Sequence, residues 1–270
     1  MNLRDQSVVV MPAAHRPEFA ALALERLGKA SNCPAIMLNI DDVSEKLKGD
    51  FTYVHKHYAP FGTCLTFRPP HVQASSGCFN ILESIRDGYD SGAQYVFLVE
   101  EDILVWPDFF EYHWEQMTVG AVVSCGRRCA RFWTRCPGMY TNPGSCLSRE
   151  FLDKLIPHIN NDFYKATGPY MDRVLGQVEG IHGLDDGLIR RVLWKHELAD
   201  RVVYPPADAP RCAHTGFIGY ENHYDFCHRD DVQGIQWQID NLRTLLKEID
   251  RQGPKGKYVK DLDWFPPELL

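Results

Sequence analysis

The chain has 270 residues, with 29 Lys+Arg against 36 Asp+Glu, so the formal net charge is 29 − 36 = −7. That length suits one large domain or two small ones, and either buries a core without covalent staples. An apolar content of 44% with 24% charged residues excludes a disordered chain, and the acidic balance excludes a generic polyanion binder. Nine cysteines, an odd number scattered along the chain, argue against a secreted disulfide framework. No stretch approaches the ~18 uninterrupted apolar residues of a membrane span. The opening MNLRDQSVVVMPAAHRPE has too short an apolar run for a signal peptide. The expectation is a soluble cytoplasmic protein with no membrane partner.

In chain order, residues 7–11 (SVVVM) form a short β-branched run closed by Pro12, the pattern of a buried strand. Pro17 then opens a helix carrying Phe19, Leu22, Leu24 and Leu27, with Gly28 as a stop. Residues 35–40 (AIMLNI) form a second buried strand ending on Asp41 and Asp42, while residues 50–70 show no firm periodicity. Ser75, Ser76 and Gly77 lead into a helix whose apolar face is Phe79, Leu82, Ile85 and Tyr89. Residues 95–99 (YVFLV) make the strongest strand and run straight into Glu100, Glu101 and Asp102. Residues 121–124 read as a strand, and 149–156 and 185–193 as helices. Ile235, Ile239, Leu242, Leu246 and Ile249 share one helical stripe, too short for a coiled coil, so we expect it to pack on its own domain. A dimer seam is the lesser reading, and the expected state is a monomer or a homodimer.

Strands alternating with helices predict an α/β fold: one Rossmann-like domain, a mainly parallel central sheet, helices on both faces and a C-terminal helical extension. In such sheets ligands bind beyond the carboxyl ends of the strands. Polar residues collect there: His15 and Arg16 after the first strand, Asp41 and Asp42 after the second, the acidic triplet after YVFLV, and His214 after a later apolar stretch. Three adjacent carboxylates repel one another, and burial makes that costly unless a cation offsets it. Mg²⁺ or Mn²⁺, which take oxygen ligands and bridge to phosphates, would do so. A solvated acidic turn is the plainer alternative.

The run YVFLVEEDILVWPDFFEYH resembles the metal-binding segment of GT-A-fold glycosyltransferases. It is especially similar to the N-acetylglucosaminyltransferase I type, through the triplet and Pro107, Asp108, Phe109, Phe110, Glu111 and Tyr112. The opening VVVMPAAHRPEFAALALERL is similar to that family's first strand and helix. The resemblance implies a GT-A domain over residues 1–230, with a nucleotide-binding half at about 1–115, an acceptor-side half at about 116–230, and a packed helix and tail at 231–270. It implies a nucleotide-sugar donor, a UDP-sugar first, and an acceptor glycan or small molecule. Asp102 would ligate a divalent metal, Mn²⁺ or Mg²⁺, and His214 would complete its site. Glu100 and Glu101 would lie toward the ribose, Asp41 or Asp42 would meet base or ribose, and His15 and Arg16 would line the nucleotide pocket. The triplet is Glu-Glu-Asp here, a departure from the commoner Asp-X-Asp.

Asp185 and Asp186 open a helix, where helix capping is the ordinary role of such residues. The resemblance implies instead that one is the general base for an acceptor hydroxyl in an inverting transfer, Asp186 ahead of Asp185. Cys212, His214, His223, Cys227 and His228 crowd one region without a zinc-finger spacing. The segment MYTNPGS, residues 139–145, reads only as a turn. Between residues 116 and 149 there is no Asp or Glu, while Arg127, Arg128, Arg131, Arg135 and Arg149 surround Phe132 and Trp133. Arg127, Arg128, Arg131 and Trp133 are candidate acceptor contacts, and hydroxylated bases of nucleic acid are one acceptor they would suit. A catalytically silent nucleotide- or sugar-binding module is the alternative of another class.

Overall fold

The computed structural model describes residues 2–71, 76–127, 140, 144–177, 185–206, 209–215 and 234–252. Its strands are β1 (Ser7–Ala13), β2 (Ala35–Ile40), β3 (Thr63–Phe67), β4 (Tyr95–Leu98), β5 (Ile103–Val105), β6 (Val123–Cys125), β7 (Ser145–Ser148), β8 (Val202–Val203) and β9 (Cys212–His214). Its helices are α1 (Pro17–Lys29), α2 (Glu45–Tyr58), α3 (Ser76–Asp90), α4 (Phe109–Thr118), α5 (Arg149–Leu155), α6 (Asn161–Lys165), α7 (Thr167–Val174), α8 (Asp185–Lys195) and α9 (Ile235–Gln252).

Seven strands form one sheet in the order β3-β2-β1-β4-β7-β6-β8, and β5 pairs with β9 in a separate ribbon. The pairs β1–β2, β1–β4, β2–β3 and β6–β8 are parallel. β7, fifth of the seven, runs antiparallel to both β4 and β6 and interrupts the mainly parallel sheet. Alternate residues face opposite layers. Val9, Met11, Ala13, Phe97 and Val99 join the core under α1, α4 and α9, while Val8, Val10, Val96 and Leu98 join the core under α3, α5 and α8.

Two local differences from the sequence reading have physical causes. β1 continues through Pro12 rather than stopping before it. Val10 offers its carbonyl toward the β4 side and Ala13 toward the β2 side, so by strand alternation Pro12 faces the β4 side. The β4 ladder ends at Val10↔Leu98, so the proline's missing N–H falls where no strand needs it. Residues 50–70 hold the end of α2 and all of β3, which carried little pattern. α2 buries only Phe51 and Val54, and β3 is a half-exposed edge strand.

The α9 stripe packs inward on α1: Ile235, Ile239, Leu242 and Leu246 are buried, and Arg243 donates to Glu25 Oε2 at 2.8 Å. The side chain of Ile249 lies outside the described residues. Among the described residues no helix is long and apolar enough to cross a membrane.

α3 reaches the sheet through Gly88, where a Cβ would stand 2.8 Å from Val96 Cγ1 and 3.0 Å from Val10 Cγ1. Both neighbours are β-branched and stiff at χ1. Gly88→Ala is expected to lose about 1–2 kcal/mol of stability in urea denaturation, overlap outweighing the better helix propensity of alanine.

Candidate functional site at the carboxyl ends of the parallel strands

β4 delivers the acidic triplet to the carboxyl end of the sheet, and the short β5–β9 ribbon fixes its last member. Ile103 pairs with His214, and both the amide and the hydroxyl of Thr215 donate to the Asp102 carbonyl at 2.8 Å. Residues more than a hundred positions apart are thereby held together. Arg16 Nη2 donates to Asp102 Oδ2 at 2.8 Å, and its Nε and Nη2 reach Glu101 Oε1 at 3.2 and 3.1 Å. His214 Nε2 stands 3.4 Å from the same Asp102 oxygen. Burial opposes the charge on Arg16, but Glu101 and Asp102 outweigh it and push the guanidinium further up. Burial alone would raise Asp102, yet His214 and Arg16 hold its carboxyl well below the usual range. Glu101 is pushed up to about 7 by burial, Arg16 opposing and Asp102 adding.

Asp102 Oδ1 is buried and has no hydrogen-bond partner among the described residues. A buried carboxylate oxygen without a donor is costly, and a hard cation is one group that satisfies it. Asp102 and His214 together fit a divalent metal as one oxygen and one nitrogen ligand. Among the described residues no group of three His, Cys, Asp or Glu is arranged to hold a metal alone.

α8 brings Asp185 and Asp186 to the same region. Arg190, one turn on, donates from Nη2 to Asp186 Oδ2 at 3.2 Å and from Nε to the Tyr140 carbonyl at 2.9 Å. Asp186 Oδ1 is buried without a partner among the described residues. Burial, with Asp185 adding and Arg190 opposing, pushes Asp186 up to about 7. A capping aspartate at a helix N-terminus is ordinarily stabilised as the anion, whereas the Asp186 carboxyl is pushed the other way. Glu100 ties the two groups together: burial raises it well above its ordinary value, and Asp102, Asp185, Glu101 and Asp186 all add to the shift.

At the end of β2, Asp41 is buried and its Oδ1 accepts from His71 Nε2 at 2.7 Å and from the Asp42 amide at 2.9 Å. Asp42 and His15 are exposed at the ends of β2 and β1. Asn80 donates to the carbonyls of Ala13 and Asn39, both at 3.0 Å, and so clamps these two strand ends.

The structure therefore gathers Arg16, Glu100, Glu101, Asp102, Asp185, Asp186 and His214, with Asp41 at the neighbouring strand end. Arg127 is instead buried at the end of β6 near the Cys212 thiol, and does not display its guanidinium at the surface. Arg128, Arg131 and Trp133 lie outside the described residues, as do His223, Cys227 and His228. Of residues 139–145, Tyr140 is buried, with its hydroxyl 3.1 Å from Ser145 Oγ. The sequence reading passed over Thr215, His71, Arg190 and Glu18. Only Arg190 had a local signal, its i,i+4 spacing from Asp186.

Glu18, in the first turn of α1, is 1% exposed, and its Oε1 has no partner among the described residues. Burial pushes it up to about 7, Arg16 opposing, Glu101 and Asp50 adding. A carboxyl raised in the fold contributes its stability fully below its unfolded value and loses it as pH rises through the folded one. Glu18→Gln is therefore expected to stabilise the protein by about 3 kcal/mol at pH 8 and under about 1 kcal/mol at pH 5, read from urea denaturation at the two pH values.

No family model and no curated protein matches the sequence. Solved structures match the fold. The mannosyltransferase PcManGT from Pyrobaculum calidifontis, in complex with GDP-Man and Mn²⁺, is similar at a TM-score of 0.54 and 10% identity, over 92% of this chain and 76% of that one. The galactosyltransferase LgtC, in complex with donor and acceptor sugar analogues, is similar at a TM-score of 0.50 and 10% identity, over 97% of this chain and 98% of that one. The chain has a GT-A-type α/β fold.

Proposed function

We propose that the chain is a divalent-metal-dependent glycosyltransferase that moves a sugar from a nucleotide-sugar donor to an acceptor hydroxyl with inversion. One observation carries the reading. Asp102 and Asp186 each keep a buried carboxylate oxygen without a partner among the described residues, and Glu100 feels the charge of both. A binding module needs the first of these features and has no use for the second. The likeness of the triplet and the Pro107–Tyr112 stretch to GT-A enzymes, and the shared fold, support the same class. Fold alone does not decide a reaction.

Asp102 and His214 would hold Mn²⁺ or Mg²⁺, which when bound supplies positive charge to the departing diphosphate. Arg16 keeps Asp102 and Glu101 in place. Asp41 accepts from base or ribose, Glu100 lies toward the ribose, and His15 and Asp42 stand at the rim of the nucleotide site. Asp186 takes the proton of the acceptor hydroxyl on Oδ1, while Arg190 holds Oδ2. The freed oxygen forms its bond to the anomeric carbon as the bond to diphosphate breaks, and the diphosphate leaves with the electron pair. Attack opposite the leaving group inverts the centre. The resemblance puts a UDP-sugar first among donors and a glycan or small molecule first among acceptors.

The test is release of nucleoside diphosphate from a panel of nucleotide sugars, with water or a mixed acceptor pool, in Mn²⁺ and in EDTA. Release that needs the metal is expected. No turnover of any donor, with nucleotide binding unchanged in Asp186→Asn, would make the chain a binding module instead.

A further inference from the structure

The end of β2 holds a second group that the catalytic reading does not use, the ring of His71. We propose that His71 is a positioning residue for nucleoside recognition: it pins one oxygen of Asp41 so that the other is presented to the donor. The inference rests on the nucleotide-sugar reading above and goes beyond it by naming how one recognition point is built.

Asp41 is 1% exposed. Its Oδ1 takes both available donors, His71 Nε2 and the Asp42 amide, while Oδ2 is buried with no partner among the described residues. For the carboxylate to accept from it, Nε2 carries the ring hydrogen. The His71 ring cannot easily turn away, because its face is stacked on Phe79 at 3.9 Å and 21°, and Phe79 rests in turn against Tyr164 at 5.0 Å. The backbone beneath is equally fixed, since Asn80 bonds the carbonyls of Ala13 and Asn39 at the ends of β1 and β2. Asp41 Oδ2 is thus a rigid acceptor at the carboxyl end of a parallel strand, where open α/β sheets bind ligands.

An ionised carboxylate only accepts hydrogen bonds. It pairs with a nucleobase N–H or a ribose hydroxyl, and it repels a diphosphate. His71 therefore acts on the nucleoside half of the donor and leaves the diphosphate half, at Asp102 and His214, untouched. A merely structural histidine would not make that division.

The experiment is calorimetric titration of the wild type, His71→Ala, His71→Asn and His71→Gln in Mn²⁺. The probes are UDP, GDP, CDP and ADP, with inorganic pyrophosphate as the ligand that lacks a nucleoside. His71→Ala is expected to weaken the preferred nucleoside diphosphate by about tenfold, as losses of supporting shell residues do. Pyrophosphate affinity should stay within about twofold, the scatter of a site left intact. His71→Gln, whose amide nitrogen reaches the place of Nε2, should recover most of the loss, and His71→Asn, which is too short, should not. If the alanine variant fails to fold, the asparagine and glutamine variants carry the comparison. Equal loss of nucleotide and pyrophosphate, no loss at all, or no recovery by glutamine overturns the inference and leaves the proposed function standing. A wild type that binds none of the four nucleotides overturns both.

Discussion

Replacing Asp186 by asparagine is expected to lower kcat by roughly 10²–10⁴-fold, the usual contribution of a positioned general base, with the donor KM nearly unchanged. Arg190 holds only Oδ2, so the amide oxygen of asparagine can keep that contact while the proton-accepting atom is lost. Asp185→Asn should cost less, because Asp185 acts on Asp186 by raising its proton affinity. The pH profile gives an independent check. With Asp186 at about 7, the base is mostly protonated below that pH and free above it. The wild-type rate should climb as pH rises through about 7 and then level off. In Asp185→Asn that rise should move to lower pH, because one neighbouring negative charge is gone. A wild-type profile flat from pH 5 to pH 8, or an Asp186→Asn enzyme with wild-type kcat, would exclude this carboxylate as the base.

Asp102→Asn is expected to abolish the Mn²⁺ dependence and reduce turnover by about 10²–10³-fold, the range found when one preorganised charge partner of a transition state is removed. Asp102 keeps one buried oxygen, Oδ1, without a partner among the described residues while its Oδ2 lies 3.4 Å from His214 Nε2, and an amide is a poor ligand for a hard cation. Arg16 also pairs with Glu101, at 3.1 Å, so the substitution should not leave the guanidinium unpaired. His214→Ala should instead raise the Mn²⁺ concentration needed for half-maximal rate by roughly 10–100-fold. The two variants separate a lost ligand from a lost fold, provided each melts within a few degrees of the wild type. Turnover in Asp102→Asn equal to the wild type, with the same Mn²⁺ dependence, would remove Asp102 from the site.

Much of the sheet was legible because its strongest strands are buried on both faces. The runs at β1, β2 and β4 are largely apolar segments followed by charged residues, and those charged residues make up the candidate site. α2 and β3 were not legible, since an edge strand and a helix with two buried side chains leave little periodic trace. Asp185 and Asp186 were readable as a helix start, yet nothing local says that burial, with Asp185 adding, pushes the Asp186 carboxyl up to about 7. His71 and Thr215 escaped for another reason. Each matters through one contact to a residue far away in sequence, Asp41 for His71 and the Asp102 carbonyl for Thr215. Composition and spacing carry no record of such contacts. Arg127, a candidate acceptor contact from its basic stretch, is buried at the end of β6, a placement that composition and spacing do not record either.

The electron paramagnetic resonance signal of Mn²⁺ tests the central claim most directly, measured on the wild type with and without UDP or GDP. Among the described residues no three His, Cys, Asp or Glu are grouped to hold a metal, so if Asp102 and His214 are the ligands, as proposed, the protein alone should hold the ion weakly. Adding the nucleotide should remove about one further Mn²⁺ per chain from the free signal, beyond what nucleotide alone removes, because diphosphate oxygens complete the shell. The same addition to Asp102→Asn should remove none. Protein-bound Mn²⁺ that ignores both the nucleotide and the Asp102 substitution, or no protein-bound Mn²⁺ with either nucleotide, would contradict the account.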